Sequence, residues 1–406
     1  MKIFCCASSI VSVSGIGVGK CFDDIANADY SAKKLQYTDT AHEIPLREIP
    51  FSNEEIERML ADNYNVVLPS RIYTRTALLS MLTVADLLQS APSVSGKKVV
   101  VVNATTAGGM DKSEIFYRDY TANGDADIAL VAGHEPADST KHVCDILKNK
   151  GADVVWSSTI STACSSSAVA VGVGMDMLKC GDVDFAICMG VDPLCKFTIN
   201  GFNSLGILSK DVCRPFDADR DGLNLGEGAA SVMLTADGNI PALCEMLSCE
   251  TASDAYHQTA TSPDAVGPTL AMKAALKKAC VDADKISYVN AHGTATPNND
   301  ESESIAMINV FGENVPPFSS TKFWTGHTLG ACGVLELALS AEMLKKQTIL
   351  PTRNFEKVER LTPVCRMEKA ELEYILTFSY FFSFFSPTDR PTLPEGEIIV
   401  GCKWSD

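Results

Sequence analysis

Two stretches of the chain repeat one pattern, in which an apolar strand leads through a turn of small residues into an apolar helix. In the first stretch, an apolar run at 152–156 is followed by small polar residues, and apolar side chains then recur at helical spacing from 168 to 178. A further apolar strand follows at 184–190. Strands that alternate with helices predict an α/β sheet whose faces are covered by helices.

The second stretch lies nearer the C-terminus. A predicted helix at 269–281 precedes strands at 286–290 and near 317–320, and a second helix is predicted at 335–345. The two strands end at turns of small residues, 291–294 and 326–328. Reactive groups of α/β sheets collect in the loops that follow strands, so these turns are where we expect the chemistry.

Cys164 lies in the turn of the first stretch, within the sequence Thr-Ala-Cys-Ser-Ser-Ser. The helix that follows would stabilise a thiolate through its unpaired N–H groups and its dipole, so we expect a lowered pKa for this thiol. The same N–H groups could hold an oxyanion on a thioester carbonyl. The alternative is an inert buried thiol, because cysteine is among the most buried residue types.

Two of the six histidines, His292 and His327, lie in the turns of the second stretch, and Lys322 precedes His327 by five residues. A cysteine with a histidine forms a nucleophile and its partner. A second histidine suggests a pair of N–H donors for a thioester oxygen that gains enolate charge. Zinc could also be bound by Cys164, His292 and His327 together. However, the nearby positive charge of Lys322 disfavours a cation, so we expect no metal site.

Composition limits the function classes. The 406 residues suffice for two domains or two fused halves, and 46% apolar with 21% charged residues is typical of a globular protein. No apolar run is long enough to span a membrane, and the first residues lack the features of a secretory signal. Without a secretory signal, the fifteen cysteines are expected to be reduced thiols in a cytoplasmic protein. They form no CxxC pair, so neither a structural zinc site nor a thioredoxin-like motif is expected. A net charge of −17 argues against binding to nucleic acid or anionic membranes.

Three other segments have weaker signals. The glycines at 15–19 do not match a dinucleotide-binding GxGxxG. Residues 217–222 begin like a calcium-binding loop, but Gly228 stands where the loop needs a glutamate, so a rigid hydrogen-bonded turn is expected. Residues 71–90 have the spacing of an amphipathic helix with a basic start, at Arg71 and Arg75.

Four motifs in a fixed order carry a family resemblance. They are Thr-Ala-Cys-Ser-Ser-Ser at 162–167, Arg-Pro-Phe-Asp-Ala-Asp-Arg-Asp-Gly at 214–222 with Gly-Glu-Gly at 226–228, Ala-His-Gly-Thr-Ala-Thr-Pro-Asn-Asn-Asp at 291–300, and Lys322 with Gly-His-Thr-Leu-Gly-Ala at 326–331. With these motifs the chain resembles the elongating β-ketoacyl-[acyl-carrier-protein] synthases of the thiolase-fold superfamily, over most of its length up to about residue 375.

The resemblance implies an α/β fold of two duplicated βαβαβαββ halves in five layers, α/β/α/β/α. We expect the first half at 1–245, with the nucleophilic cysteine, and the second at 246–406, with both histidines. It also implies a homodimer, or a heterodimer with a related ketosynthase subunit.

The implied reaction is a decarboxylative Claisen condensation. An acyl group passes from the phosphopantetheine of an acyl carrier protein to Cys164, and His292 and His327 then bind the thioester carbonyl of malonyl carrier protein. Loss of CO2 leaves an enolate that attacks the acyl group. No bound cofactor is needed, because the pantetheine arrives on the carrier protein. Lys322 supports the histidines through a network drawn from Asp300, Glu303 and Glu336.

The remaining expectations concern access to the site. Carrier proteins are acidic, and so is this chain, so docking requires a local basic patch on it. Arg71 and Arg75 are the candidates for that patch. Phe202 and Phe382 are candidates for an acyl gate. From about residue 377 the tail departs from the family, because phenylalanines replace a Gly-Phe-Gly-Gly turn. A catalytically impaired subunit that pairs with an active synthase is therefore the alternative function.

Overall fold

The computed structural model describes residues 1–27, 35–252, 256, 262–379 and the backbone of 397–403. The strands are β1 (Ile3–Ser12), β2 (Gly15–Ile16), β3 (Lys98–Ala104), β4 (Asp153–Ile160), β5 (Phe185–Asp192), β6 (Gly228–Thr235), β7 (Cys244–Ala252), β8 (Ile286–Asn290), β9 (Phe318–Ser319), β10 (Thr348–Ile349), β11 (Glu368–Lys369), β12 (Tyr374–Ser379) and β13 (Glu397–Lys403). The helices are α1 (Val18–Asn27), α2 (Asn53–Asp62), α3 (Arg75–Ser90), α4 (Met110–Asn123), α5 (Ala137–Asn149), α6 (Ser166–Lys179), α7 (Lys196–Ser204), α8 (Val266–Ala279), α9 (Pro297–Phe311), α10 (Lys322–Thr325) and α11 (Cys332–Lys346), with short 3-10 turns at Ile128–Val131, Ala283–Lys285 and Leu329–Ala331.

The sheet is built from two matching sets of five strands. Its strand order is β4-β3-β5-β6-β1-β7-β13-β12-β8-β9. In the first set, β4-β3 and β3-β5 pair in parallel, and β5-β6 and β6-β1 pair antiparallel. In the second set, β9-β8 and β8-β12 pair in parallel, and β12-β13 and β13-β7 pair antiparallel. The two sets meet where β1 pairs antiparallel with β7.

The chain order of the elements repeats as well. The first series is β1-α3-β3-α5-β4-α6-β5-β6 and the second is β7-α8-β8-α9-β9-α11-β12-β13. Both are βαβαβαββ, which confirms the predicted duplicated α/β fold. The predicted boundary at 245/246 falls just inside β7, and the division into these two halves stays a prediction.

Helices α6 and α11 form the middle layer. They share one hydrophobic core with residues of β1, β5, β6 and β7, whereas α3 and α5 cover the first set of strands and α8 and α9 the second. Small residues let α6 lie close to the sheet: a Cβ atom on Gly174 would come within 2.3 Å of the Cys188 sulfur. The middle layer places the first residues of α6 and α11 side by side.

One detail differs from the sequence-based expectations. The predicted amphipathic helix at 71–90 begins at Arg75, where the Thr74 side chain accepts a hydrogen bond from Ala77 N–H, and nearly all of α3 is buried. The amphipathic interpretation is wrong because α3 packs against α2, α5 and the sheet and has no broad solvated face. In addition, no helix of the described residues is both long enough and apolar enough to cross a membrane.

Candidate active site

The turn between β4 and α6 holds Cys164, as the hydrophobic pattern predicts. Ala163 has a φ of 49°, in the left-handed region that side chains other than glycine rarely adopt. The turn is closed by Ser166, whose hydroxyl accepts a hydrogen bond from Thr162 N–H at 2.8 Å. The Cys164 side chain is thereby held beside the N-terminal end of α6 and is almost fully buried.

The thiol of Cys164 contacts His327, which comes from the other half of the chain. The sulfur lies 2.8 Å from His327 Nε2. The rings of His327 and His292 stand nearly perpendicular, with centroids 5.1 Å apart. Burial, followed by the nearby Lys322 ammonium, lowers the pKa of both imidazoles well below its usual value. Both rings are therefore neutral at pH 7.

Lys322 fixes the proton on His292. Its Nζ lies 3.2 Å from His292 Nδ1 and donates to the His292 carbonyl oxygen at 2.6 Å. Because Nδ1 accepts from the ammonium, the proton of the neutral ring is on Nε2. His292 is therefore an N–H donor, as the two-histidine hypothesis requires.

Glu336 is the buried counter-ion of Lys322, and the two side chains are 3% and 1% exposed. Burial alone lowers the pKa of the Lys322 ammonium, but Glu336, together with Cys332 and Glu303, more than offsets this, so that the pKa is raised above its usual value. The ammonium therefore stays charged at the site. Of the three carboxylates proposed to support Lys322, Glu336 is the one that makes a hydrogen bond with it.

Glu303 and Asp300 act on the backbone of the His292 loop instead. The Glu303 carboxylate accepts the N–H groups of His292 and Gly293 at 2.6 and 2.8 Å, and burial raises its pKa to about 8. Asp300 accepts the N–H groups of Phe216 and Ala295. These contacts fix the loop that carries His292.

The His327 turn is held by the segment that contains Gly226. His327 N–H donates to the Asn224 carbonyl oxygen at 2.8 Å, and Gly226 N–H donates to the His327 carbonyl oxygen at 3.0 Å. A Cβ atom on Gly226 would lie 2.0 Å from the Thr325 carbonyl oxygen. Only glycine fits at this position, which gives the Gly-Glu-Gly motif a structural role.

Sequence analysis missed two contacts of Cys164. The Cys332 thiol and the Ser379 hydroxyl both donate to the Cys164 carbonyl oxygen, at 3.1 and 3.0 Å. Neither residue has a local pattern that points to Cys164, because they follow it by 168 and 215 positions. They orient the peptide group that follows Cys164.

The expected lowering of the Cys164 pKa is wrong. Burial is the largest cause, and the neighbouring Cys332 adds to it, so that the pKa of the thiol is raised well above its usual value. Lys322 opposes this shift but does not overcome it. The described residues enclose the sulfur, and loss of solvation outweighs the helix terminus. The Cys164 side chain is therefore a neutral thiol.

The site also bears on the question of a metal. Ligand atoms of Cys164, His292 and His327 lie within 4.8 Å of one another. However, Lys322 keeps the proton of His292 on Nε2, the atom a metal beside the thiol would need. This arrangement favours hydrogen-bond donation over metal binding, and the expected absence of a metal stays a prediction.

The access residues have mixed outcomes. Arg71 lies at the surface, paired with Asp138 at 3.3 Å. Arg75 is wrong as a docking residue, because it is buried and its guanidinium binds the buried Glu227 carboxylate at 2.5 and 2.7 Å. Phe202 is half-buried in α7 against an apolar cluster, and its role as a gate stays a prediction. Phe382 lies outside the described residues.

Comparison with known proteins identifies the family. The model of the β-ketoacyl synthase N-terminal domain matches residues 92–238, and that of the β-ketoacyl synthase C-terminal domain matches 243–356. The chain belongs to the β-ketoacyl synthase family. The two matches include Cys164, both histidines and Lys322 of the site.

Two curated relatives of this β-ketoacyl synthase family member are similar over part of their length. Nodulation protein E of Rhizobium meliloti (strain 1021) is 32% identical over 270 residues, 64% of this chain and 65% of that protein. The 3-oxoacyl-[acyl-carrier-protein] synthase 2 of Staphylococcus aureus is 34% identical over 260 residues, 60% of this chain and 64% of that protein. The chain thus spans just under two-thirds of these relatives.

Solved structures share the fold over the whole chain. The ishigamide ketosynthase/chain length factor has a TM-score of 0.89 at 23% identity, covering 100% of this chain and 99% of that one. The ketosynthase ApeO, in complex with its chain length factor ApeC from Xenorhabdus doucetiae, has a TM-score of 0.79 at 25% identity, covering 100% and 98%.

Proposed function

We propose that the protein is a 3-oxoacyl-[acyl-carrier-protein] synthase, an acyltransferase of fatty-acid or polyketide-like synthesis that condenses an acyl group with malonyl carrier protein. The observation that carries the proposal is the buried contact of 2.8 Å between the Cys164 sulfur and His327 Nε2, beside a His292 whose proton is fixed by Lys322. An acyl-binding protein without chemistry needs neither feature.

In the first step, the Cys164 sulfur attacks the thioester carbon of an acyl group on the phosphopantetheine of the carrier protein. A new carbon–sulfur bond forms, the bond to the pantetheine sulfur breaks, and the thiol proton passes through His327 Nε2 to the leaving thiolate. The proton transfer is needed because burial keeps the thiol protonated.

In the second step, malonyl carrier protein enters and His292 and His327 donate hydrogen bonds to its thioester carbonyl. Carbon dioxide leaves, and the enolate that remains attacks the acyl thioester. The bond between the acyl carbon and the Cys164 sulfur breaks, and the thiolate takes up a proton from solvent. No described residue hydrogen-bonds His327 Nδ1, so no contact fixes the tautomer of that ring. His327 can therefore accept the thiol proton first and donate to the oxyanion later.

The proposed partners are acyl carrier protein and a second ketosynthase subunit, either an identical copy or a related one. The phosphopantetheine would arrive on the carrier protein, with no resident cofactor, and Arg71 is the remaining docking candidate.

A subunit interface is supported by β4, which pairs only with β3 among the described strands and exposes Val155 and Trp156. The described cysteines are free thiols, which supports a cytoplasmic location.

The alternative is an impaired subunit that supports an active synthase. It is favoured by the sequence of the tail, where phenylalanines stand in place of the Gly-Phe-Gly-Gly turn. One of the similar structures is a ketosynthase in complex with a chain length factor, a pairing of this general kind.

The test uses the full chain with acyl carrier protein that bears an octanoyl group, followed by mass spectrometry of the cysteine-containing peptides. We expect the acyl mass on Cys164, its loss in Cys164→Ala, and its retention in Cys180→Ser, which removes an exposed thiol. Absence of acylation would reject the enzyme. Malonyl carrier protein is then added: a 3-oxoacyl product supports the synthase, and acylation without product supports the impaired subunit.

A further inference from the structure

Asp192 is a buried carboxylate at the end of β5 that the proposed chemistry does not use. Its side chain is fully buried, and the residue stands at the C-terminal edge of the strand, on the side where Cys164 lies. A buried acidic group is costly unless several donors satisfy it. Its partners therefore indicate what the fold gains from it.

Five hydrogen bonds converge on this carboxylate. Three come from the loop after β3, from Thr105 Oγ1, Thr106 N–H and Thr106 Oγ1, each at 2.8 Å. The fourth is from Ala107 N–H at 3.0 Å, and the fifth is from Gly330 N–H at 2.7 Å. All five bonds are donated to the carboxylate, so both of its oxygens act as acceptors. Burial raises the pKa of Asp192, and the hydrogen bonds from Thr105, Thr106 and Ala107 oppose that rise.

The bond to Gly330 joins the two halves of the chain. Gly330 lies three residues after His327, in the 3-10 turn Leu329–Ala331 that leads into α11. A Cβ atom on Gly330 would meet the Asp192 carboxylate at 2.9 Å, and one on Gly190 would meet the Gly330 carbonyl oxygen at 2.8 Å. The turn thus rests directly on the end of β5, with no room between them.

Asp192 also acts on the nucleophile through its charge. Burial is the main cause of the raised pKa of the Cys164 thiol, and the negative charge of Asp192 raises it further. The other charged or titratable groups that face Cys164 from the described elements are Cys332 on α11, Lys322 on α10, and the rings of His292 and His327. Of these, Lys322 is the cation, and it acts in the opposite direction.

We propose that Asp192 is a positioning residue of the condensing site, which holds the His327 turn against Cys164 through Gly330 and sets a negative charge near the thiol. The proposal deepens the proposed function and rests on it for the catalytic consequence. The electrostatic part can be measured without any acyl substrate.

The experiment compares Asp192→Asn with Asp184→Asn, the same substitution just before the opposite end of β5, roughly 25 Å away at the rise of a strand. The rate of Cys164 alkylation by iodoacetamide is followed against pH by peptide mass spectrometry. Loss of the charge is expected to lower the apparent pKa of the thiol by about 0.5 unit or more. Acyl transfer from octanoyl carrier protein is expected to fall about 10- to 100-fold, because the His327 turn is displaced.

Gly330→Ala separates position from charge. Its Cβ atom pushes the turn away from the carboxylate but keeps the charge, so acyl transfer should fall while the alkylation pKa is not lowered. This variant also tests the positioning part if thermal unfolding shows that Asp192→Asn does not fold.

An alkylation pKa in Asp192→Asn equal to that of Asp184→Asn overturns the electrostatic part. Unchanged acyl transfer in Gly330→Ala overturns the positioning part. If wild type is alkylated but never acylated, the proposed function fails and the pH shift still decides the charge effect.

Discussion

Replacing Glu336 by glutamine should destabilise the protein strongly, and the loss should shrink as the pH rises. The variant keeps the size of the side chain and an acceptor oxygen, but it leaves the Lys322 ammonium, 1% exposed, without a carboxylate. Removing one partner of a buried ion pair costs about 3 to 5 kcal/mol. Because the amide oxygen still accepts a hydrogen bond, we expect the lower end, about 3 kcal/mol at pH 7.

The pH dependence follows from the proton on Lys322. In the wild type, Glu336 raises the pKa of Lys322, so the stability it contributes is present up to the unfolded value, near pH 10.4, and declines above it. In Glu336→Gln the main cause that raises this pKa is removed, and we expect burial, the largest cause, to outweigh Cys332 and Glu303 and to bring the folded-state pKa below the unfolded one. The unfolded state then binds more protons, and the variant gains stability relative to the wild type as the pH rises towards 10.

The assay is urea unfolding at pH 7, 8.5 and 9.5. The control is Asp176→Asn, which breaks the exposed pair between Asp176 (side chain 69% exposed) and Lys179 (35% exposed) and should cost about 0.5 kcal/mol or less at every pH. The reasoning is refuted if Glu336→Gln costs no more than the control. It is also refuted if the difference in the free energy of unfolding between the wild type and Glu336→Gln stays constant or grows as the pH rises.

Two further predictions concern the reaction and the assembly. His292→Ala should lower decarboxylation of malonyl carrier protein about 10²- to 10³-fold, because one oxyanion donor is lost. Acylation of Cys164 should change less than tenfold, and equal losses in both assays would contradict separate roles for the two histidines. Val155→Lys, on the free edge of β4, should convert a dimer to a monomer in light scattering, whereas Val67→Lys, at a site that is 81% exposed, should not. Dimers that persist in Val155→Lys would place the interface elsewhere.

The elements and the reactive side chains of this protein could be predicted because both are local in sequence. The spacing of apolar residues and the small residues of the turn mark the strand, turn and helix around Cys164. The turns that hold His292 and His327 follow strands in the same way. Their meeting follows from the resemblance, which implies the duplicated fold that brings them together.

What could not be predicted depends on packing between distant segments. The raised pKa of Cys164 comes from enclosure by the second half of the chain, which the helix-terminus argument ignores. The contacts of Cys332 and Ser379 with the nucleophile have no local signature. Arg75 reads as a surface charge in the sequence, and only the tertiary structure reveals the buried Glu227 that binds it.

The division of the site between the two halves has a consequence for biosynthesis. Cys164 is translated 163 residues before His327, the side chain whose Nε2 lies 2.8 Å from its sulfur. Until the second βαβαβαββ series has folded onto the first, the nascent protein has the thiol without this contact. The acyl transfer that we propose therefore becomes possible only after both series have folded.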